Sequence, residues 1–472
     1  VLGLFLAQVG AQTLIRAYPT SLPRMSEVTV DLSVLLFTLG VSTVTGLLFG
    51  LAPIARMRAN ALAMTLTEGG TRGAVGPARH SIRRGLVIAE VALAVTLIIG
   101  AGLLVRTVYN LTNVDAGFDR SRLVTFSITN TDNKYSKSAR LLAAFRAVPG
   151  VQSATAASGL PPARPPDGED TYIDNYSAPD GDPSPYVDHY QSVMSDYFET
   201  MGIPIVQGRG FQPADATPSG MVAIVNETLA NKFWRGQNPI GQRLRPGWAK
   251  PWFTVIGVAR DVKQAGLDQK TGTELYFFVD QMAIAPSPLG RAPGTINVVL
   301  RTTLPPPALS QTVERLVHDM DPAVPVVQLR EMDAVFAESI RRPRLLAELV
   351  GVFAGLALLL AIIGVYGVLS YMVAQRRREI GVRLALGAQR RDVVGLVMRE
   401  TMLLVVIGLI IGLGAALAST NLIASLLYGL TPYDPLTIAL ASLLLLAVAA
   451  LAGYLPARRA ARVDPMVALR HE

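Results

Sequence analysis

The chain contains no cysteine, which excludes a disulfide framework and any thiolate metal site and leaves the redox compartment unreadable from thiols. Charge is scarce: 17% of residues are Asp, Glu, Lys or Arg, against 50% that are apolar, and mean hydropathy is +0.37. A soluble chain of 472 residues needs less apolar surface than this to fill a core, so membrane insertion is the first expectation. Lysine is absent outside residues 109–342 and no G-x-x-x-x-G-K-[ST] phosphate loop occurs, which excludes ATP binding of the P-loop kind. No H-E-x-x-H zinc motif or G-x-S-x-G nucleophile elbow is present, and His80, His189, His318 and His471 are far apart. These absences predict a chain that is not itself an enzyme and that takes no metal or cofactor.

What is present is long charge-poor runs at both ends of an ordinary soluble composition. A hydrocarbon core about 30 Å thick needs roughly 20 apolar residues in a helix. Six runs meet or nearly meet that length: residues 1–17, 31–55, 84–107, 345–373, 398–420 and 435–456. Helices are expected throughout, because lipid offers backbone groups no partners. The sequence opens at Val1 inside an apolar run, with no basic n-region and no A-x-A cleavage site, and this predicts a chain cut within a larger protein.

Orientation follows from arginine in the short loops. Residues 56–84 carry Arg56, Arg58, Arg72, Arg79, Arg83 and Arg84 against Glu68, and residues 374–399 carry seven arginines against Glu379 and Asp392. The tail adds Arg458, Arg459, Arg462 and Arg470, whereas the loops 18–30 and 421–434 hold one basic residue, Arg24. The arginine-rich segments are therefore cytoplasmic, all six spans alternate without conflict, and residues 109–342 lie outside. That outside segment has 22 basic and 24 acidic side chains, so the chain's net charge of +8 is carried by cytoplasmic loops. The basicity reads as topology and contact with anionic headgroups of the bilayer, with no nucleic-acid partner.

The two ends repeat one another. At an offset of 403, Asp31 falls on Asp434, Gly50 on Gly453, Pro53 on Pro456 and Arg56 on Arg459; at an offset of 409, Gly3, Leu4 and Ala7 fall on Gly412, Leu413 and Ala416. Shared glycine, proline and charge positions go beyond the likeness of any two apolar helices. The expected organisation is residues 1–60 as the last two spans of a first unit, 61–83 as a cytoplasmic linker, and 84–108 as the first span of a second unit. Residues 109–342 form the outside domain, and 343–472 form three further spans with a cytoplasmic tail.

The outside segment alternates short strands and helices. Strands are expected at Leu123–Thr129, Met221–Val225, Phe253–Val258, Leu275–Val279, Ile296–Arg301 and Val324–Leu329. Helices are expected at Ser138–Val148, Glu227–Trp234, Pro306–Met320 and Glu331–Ser339. This predicts a mixed α/β domain of two lobes with an irregular excursion from Pro161 to Pro185. The acids there, Asp167, Glu169, Asp170, Asp174, Asp180 and Asp182, match no EF-hand spacing and are interrupted by prolines, so a solvated loop is expected. Trp234, Trp248 and Trp252 read as buried or membrane-facing aromatics before a ligand platform.

Two features are candidates for function. Glu90 sits about two turns into the third run, where an acid marks function by default; a proton relay and a plain interhelical or interfacial position are both open. Glu348 and Glu400 lie near span ends, where water accounts for them. The second feature is the loop Gln375–Ala388, with Arg376, Arg377, Arg378, Glu379, Gly381 and Arg383 around the apolar positions Ile380, Leu384 and Ala388. It reads as a short amphipathic helix at the interface, capped by Gly387, with Gln389 to Asp392 leading into the next span. A positive-inside anchor and a docking helix for a separate ATPase are the two readings.

From Phe353 to Glu472, "LALLLAIIGVYGVLSYMVAQRRREIGVRLALGAQRRDVV" and "GYLPARRAARVDPMVALRHE" closely resemble the FtsX-like permease domain of the MacB-type ABC transporter family. Residues 109–342 resemble that family's periplasmic core domain through "AVPGVQSATAAS", "DYFETMGIPIVQGRGF" and "IVNETLANKFWRGQNPIGQRL". The partial first unit is most similar to the duplicated permeases described from acidobacteria. The resemblance implies a polytopic α-helical protein of six spans with a large mixed α/β extracytoplasmic domain in a bacterial inner membrane. It also implies a separate ABC ATPase on the cytoplasmic side, contacted at Arg376 to Ala388, that drives the outside domain through the spans in efflux or export. A periplasmic partner belongs to the same picture. The rival is a non-transporting scaffold or signalling protein whose outside domain binds a partner.

Overall fold

A computed structural model describes residues 9–10, 12–13, 32–44, 46–47, 77–129, 135–176, 185–217, 220–284, 294–386, 389–431 and 433–461. Two compact units result, Tyr109–Ile340 and the segments flanking it. The first elements are α1 (Pro77–Thr112), β1 (Leu123–Thr129), α2 (Tyr135–Arg146), β2 (Val151–Ala157), β3 (Thr171–Ile173), β4 (His189–Val193), α3 (Tyr197–Met201) and β5 (Ile205–Gly208). There follow β6 (Val222–Asn226), α4 (Glu227–Phe233), β7 (Arg243–Pro246), β8 (Phe253–Ala259), β9 (Glu274–Phe278), α5 (Val279–Ile284), β10 (Thr295–Thr302) and α6 (Pro306–Met320). The chain closes with β11 (Val326–Glu331), α7 (Met332–Ser339), α8 (Arg341–Gln375), α9 (Arg377–Ala385), α10 (Arg390–Ile423) and α11 (Pro435–Ala460).

Four described helices are long and apolar enough to cross a bilayer: Arg84–Thr112, Arg341–Gln375, Arg390–Ser419 and Pro435–Arg459. Of the other two expected spans, residues 32–44 form a shorter apolar helix, and most of residues 1–17 lie outside the described residues, as do Asp31, Gly50, Pro53 and Arg56 of the first copy of the repeat. The four helices pack through one stripe each. Val87, Val91, Ala94, Val95, Ile99 and Leu103 of α1 meet Ala357, Ala361, Val365 and Leu369 of α8 and Ala441, Leu445, Ala449 and Ala452 of α11. The interior stripe is rich in alanine while the outer faces carry Phe353, Leu359, Ile363, Leu443 and Leu451, all exposed. This inverts the arrangement of a water-soluble bundle, and it is stable only where the solvent is hydrocarbon.

Between α1 and α10 the backbones touch. A Cβ built on Gly412 would lie 2.6 Å from the Ala92 carbonyl oxygen, and one on Gly408 would lie 2.7 Å from Val91 Cγ1. Thr96 Oγ1 donates to the Ala92 carbonyl at 2.9 Å and approaches the Gly412 carbonyl at 3.2 Å across the same seam. Gly408 and Gly412, four apart on one face, are therefore the small-residue pair that permits this approach. At the far end of α1, Arg106 donates to Asp434, whose side chain also caps α11 through Thr437 N at 2.9 Å.

The other unit is a mixed α/β domain. Its described strands form one sheet in the order β11-β1-β10-β2-β4-β9-β6-β8-β7-β3, with β5 also on β8. The first half, β11-β1-β10-β2, is wholly antiparallel. The second half mixes parallel pairs (β4 with β9, β6 with β8) with antiparallel ones. The halves meet in a single residue pair, Ala157 with Val193. On the first half, α6 starts at Pro306, where the missing N–H costs nothing, and buries Leu309, Val313 and Val317 at four-residue spacing. In the second half Phe277 collects Tyr190, Trp248 and Phe253 edge-on with centroids 5.2–5.8 Å away. Within the excursion, residues 171–173 form β3 and pair with β7, a strand that its Pro, Asp and Gly content hid.

Candidate functional site

The expected amphipathic helix is present as α9, between two spans. Ile380 N donates to Arg376 O at 2.9 Å and Arg376 N to Met372 O at 3.1 Å, so α8 turns into α9 without a slack linker. Gln389 and Asp392 form a reciprocal capping box that starts α10. On α9 the apolar anchor is Ile380, buried with Val393 of α10 and Ala461 beyond α11. Gly381 is buried beside it, Arg377 and Arg378 occupy the first positions of α9, and Gly387 lies outside the described residues. Val382 and Leu386 point outward, Leu386 at 82% exposure.

The charged residues of this corner are brought together. Arg383 Nη2 lies 2.6 Å from Glu379 Oε1, and Arg376 Nε lies 4.0 Å from Glu379 Oε2. Arg376 Nη1 donates to Glu400 Oε1 at 2.8 Å, and Glu400 Oε2 lies 3.9 Å from Arg84 Nη2. Position near a span end led us to expect Glu400 to be satisfied by water; the structure makes it a link between arginines on α1 and at the α8–α9 corner. The sequence signal was its spacing: Glu400 stands seven residues after Val393, hence two turns along the same face of α10.

Glu90 stands apart from this corner. Its Oε2 is buried without a hydrogen-bond partner among the described residues, and a Cβ on Gly364 of α8 would collide with it. It therefore faces a neighbouring helix, α8.

A buried polar cluster in the outside domain went unread in the sequence. Arg164, 6% exposed, donates to Gln191 Oε1 and to the Tyr190 carbonyl and reaches Asp167 at 2.6 Å and Glu274 at 3.7 Å. Glu274, 1% exposed, accepts from Gln264 Nε2 at 2.8 Å and from Tyr276 Oη at 2.7 Å. Burial pushes its carboxyl up to about 7, against the pull of Arg164 and the two donors. His189, paired in register with Glu274, is held below the ordinary histidine value by burial and then by the Arg164 charge. Two of the excursion's acids are engaged in ion pairs, Asp174 with Arg243 at 2.6 Å and Asp167 with Arg164, Glu169 and Asp170 are exposed, and Asp180 and Asp182 lie outside the described residues. No group of three His, Asp or Glu suited to a metal occurs among the described residues. Trp234 is buried in the core, and Trp252 lies beside the guanidinium groups of Arg243 and Arg245.

Comparison with known proteins agrees with this architecture. Residues 351–465 match the FtsX-like permease C-terminal family and residues 85–316 match the MacB-like periplasmic core domain. The macrolide export ATP-binding/permease protein MacB of Marinobacter nauticus is 30% identical over 281 residues, covering 57% of this chain and 41% of that protein. The pyoverdine export ATP-binding/permease protein PvdT of Pseudomonas putida is 30% identical over 285 residues, covering 58% and 41%. The uncharacterized ABC transporter permease YknZ of Bacillus subtilis is 25% identical over 283 residues, covering 59% and 69%. The chain thus spans about two fifths of the length of the two exporters. Both matched domains fall where the four apolar helices and the mixed α/β unit lie, and the arginine-rich loops fix the membrane side of each. The chain belongs to the MacB/FtsX-like ABC transporter permease family and is a multi-pass protein of the bacterial inner membrane with residues 109–342 in the periplasm.

Proposed function

We propose that this chain is the permease part of a MacB-like ABC exporter, in which a separate ATPase on the cytoplasmic side moves the spans and, through them, the periplasmic domain. The observation that carries this reading is α9. It is a short helix joined to α8 without slack, wedged by Ile380, and it presents Leu386 and Val382 outward as a docking edge. A rigid corner transmits displacement where a loose loop absorbs it. The chain supplies no phosphate loop of its own, so hydrolysis belongs to the partner. Six spans, with residues 1–60 as the end of a preceding permease unit, would let one polypeptide supply both membrane halves over two ATPases. The cargo acts at the outer side of the inner membrane, with a drug, a peptide or a lipid as the chemical classes in view, and a periplasmic partner would receive it.

The test is affinity capture of the full-length protein in mild detergent, with mass spectrometry for a co-purifying ATPase and an ATP hydrolysis assay. A stoichiometric ATPase whose stimulation is lost when Arg376, Arg377, Glu379 and Arg383 become alanine is the expected result. Reproducible absence of any ATPase would refute the exporter and leave a non-transporting scaffold.

A further inference from the structure

Of the two spans that lead to the periplasmic domain, α8 is joined to α9 by the peptide chain, whereas α1 is not. Apolar packing holds α1 to α8 and α10 within the span, and a polar contact is what can tie its cytoplasmic end to the corner. We infer that Glu400 is that tie: a positioning residue whose two carboxylate oxygens hold the α8–α9 corner and α1 at once. Oε1 accepts from Arg376 at 2.8 Å, and Oε2 faces Arg84 at 3.9 Å. Glu400 can do this because α10 offers one face to the corner, with Val393 receiving Ile380 and Glu400 receiving Arg376 two turns further on. Arg376 in turn leans on Glu379, and Glu379 on Arg383, so the charges alternate from α1 to the middle of α9.

Half-exposed ion pairs of this kind contribute little to overall stability. Their value here lies in geometry, since a carboxylate shared between two guanidinium groups fixes two elements against a third. The role of Glu400 deepens the proposed coupling function and rests on it for its purpose, but the tie itself is measurable without any ATPase.

Because residues 1–472 are free of cysteine, two can be introduced there without background from this segment, any cysteine beyond it being replaced by serine. Leu86→Cys on α1 and Leu386→Cys at the end of α9 are both exposed and carry spin labels for a pulsed dipolar distance measurement on the full-length protein in lipid nanodiscs. The unaltered background should give one narrow distance distribution. Glu400→Gln should replace the narrow distribution with a broader one, as one charge of a shared network is removed. Arg376→Glu with Glu400→Arg restores one pair and sets Arg84 against Arg at position 400, so the distribution should stay broad. Adding Arg84→Glu together with Glu379→Arg and Arg383→Glu reverses every charge of the network, Glu379 and Arg383 included, and should restore the narrow distribution, a rescue that a merely space-filling role does not predict. An unchanged width in Glu400→Gln would overturn the inference, and so would a full charge reversal as broad as the double. Absence of any captured ATPase from the unlabelled protein with Leu386 intact, with the distances as expected, would sink the exporter reading and leave the tie standing.

Discussion

Gly412→Ala adds one methyl group at the seam between α1 and α10, and its cost can be worked from the contact. The new carbon would lie 2.6 Å from the Ala92 carbonyl oxygen and 2.9 Å from both Ala92 Cα and Val95 Cβ. Ordinary contact needs about 3.4–4 Å, so the helices must part by nearly 1 Å, a gap that forfeits a quarter to a half of each dispersion contact along the seam. Overpacking of this order costs about 1–3 kcal/mol, set against about 0.5–1 kcal/mol that alanine gains over glycine inside a helix. The net expectation is a loss of roughly 0.5–2 kcal/mol, and Gly408→Ala should not add fully, because one separation relieves both contacts. Gly414→Ala is the internal control: it stands two residues along the same helix, and nothing lies within 4 Å of its added carbon. Reversible unfolding of the full-length protein in detergent micelles reads the difference. If Gly412→Ala were as stable as Gly414→Ala, the close approach of α1 and α10 would be refuted.

In the periplasmic domain, Glu274 binds its proton more tightly folded than unfolded, so its contribution to stability is complete below about pH 4.5 and is lost as pH rises through about 7. Glu274→Gln should flatten that slope in urea unfolding curves recorded between those values, and an unchanged slope would show that Glu274 does not titrate there. Asp434→Ala removes the cap of α11 and the partner of Arg106 and should cost about 1–2 kcal/mol, with Asp434→Asn recovering the capping share alone. Leu386→Asp should weaken capture of the ATPase while leaving the melting temperature unchanged, because the side chain it replaces is outward; undiminished capture would place the docking edge elsewhere.

What the sequence made legible was whatever depends on period and solvent. The four long apolar helices, β1 and α6 stand where run length and burial pattern put them, because each is decided by its own residues. The strands β2 and β4 were missed because their sequences, VQSATAA and HYQSV, are too polar to read as strands alone. They are strands because neighbours 30 or more residues away complete their hydrogen bonds. The same applies to the charges. Arg376, Glu379 and Arg383 advertise themselves by crowding in one loop, whereas Arg84 and Glu400 are more than 300 residues apart and become partners only when α1 and α10 lie side by side. Arg164 and Glu274 were invisible for a like reason, since nothing in a run of residues says that an arginine on an irregular stretch will be buried.

The single rung between Ala157 and Val193 has a mechanical consequence. A sheet is stiff across strands joined by many hydrogen bonds and softer where one rung remains, so the β2–β4 line is where the backbone ladder binds the two plates of the periplasmic domain least. The join there is carried by side chains such as Gln191 and Arg301 and by the shared core around Tyr197 and Met201. The chain enters this domain through β1 and leaves it through β11, adjacent strands of the same plate. If the spans move as proposed, the chain delivers that movement first to the β11-β1-β10-β2 plate, which holds both β1 and β11.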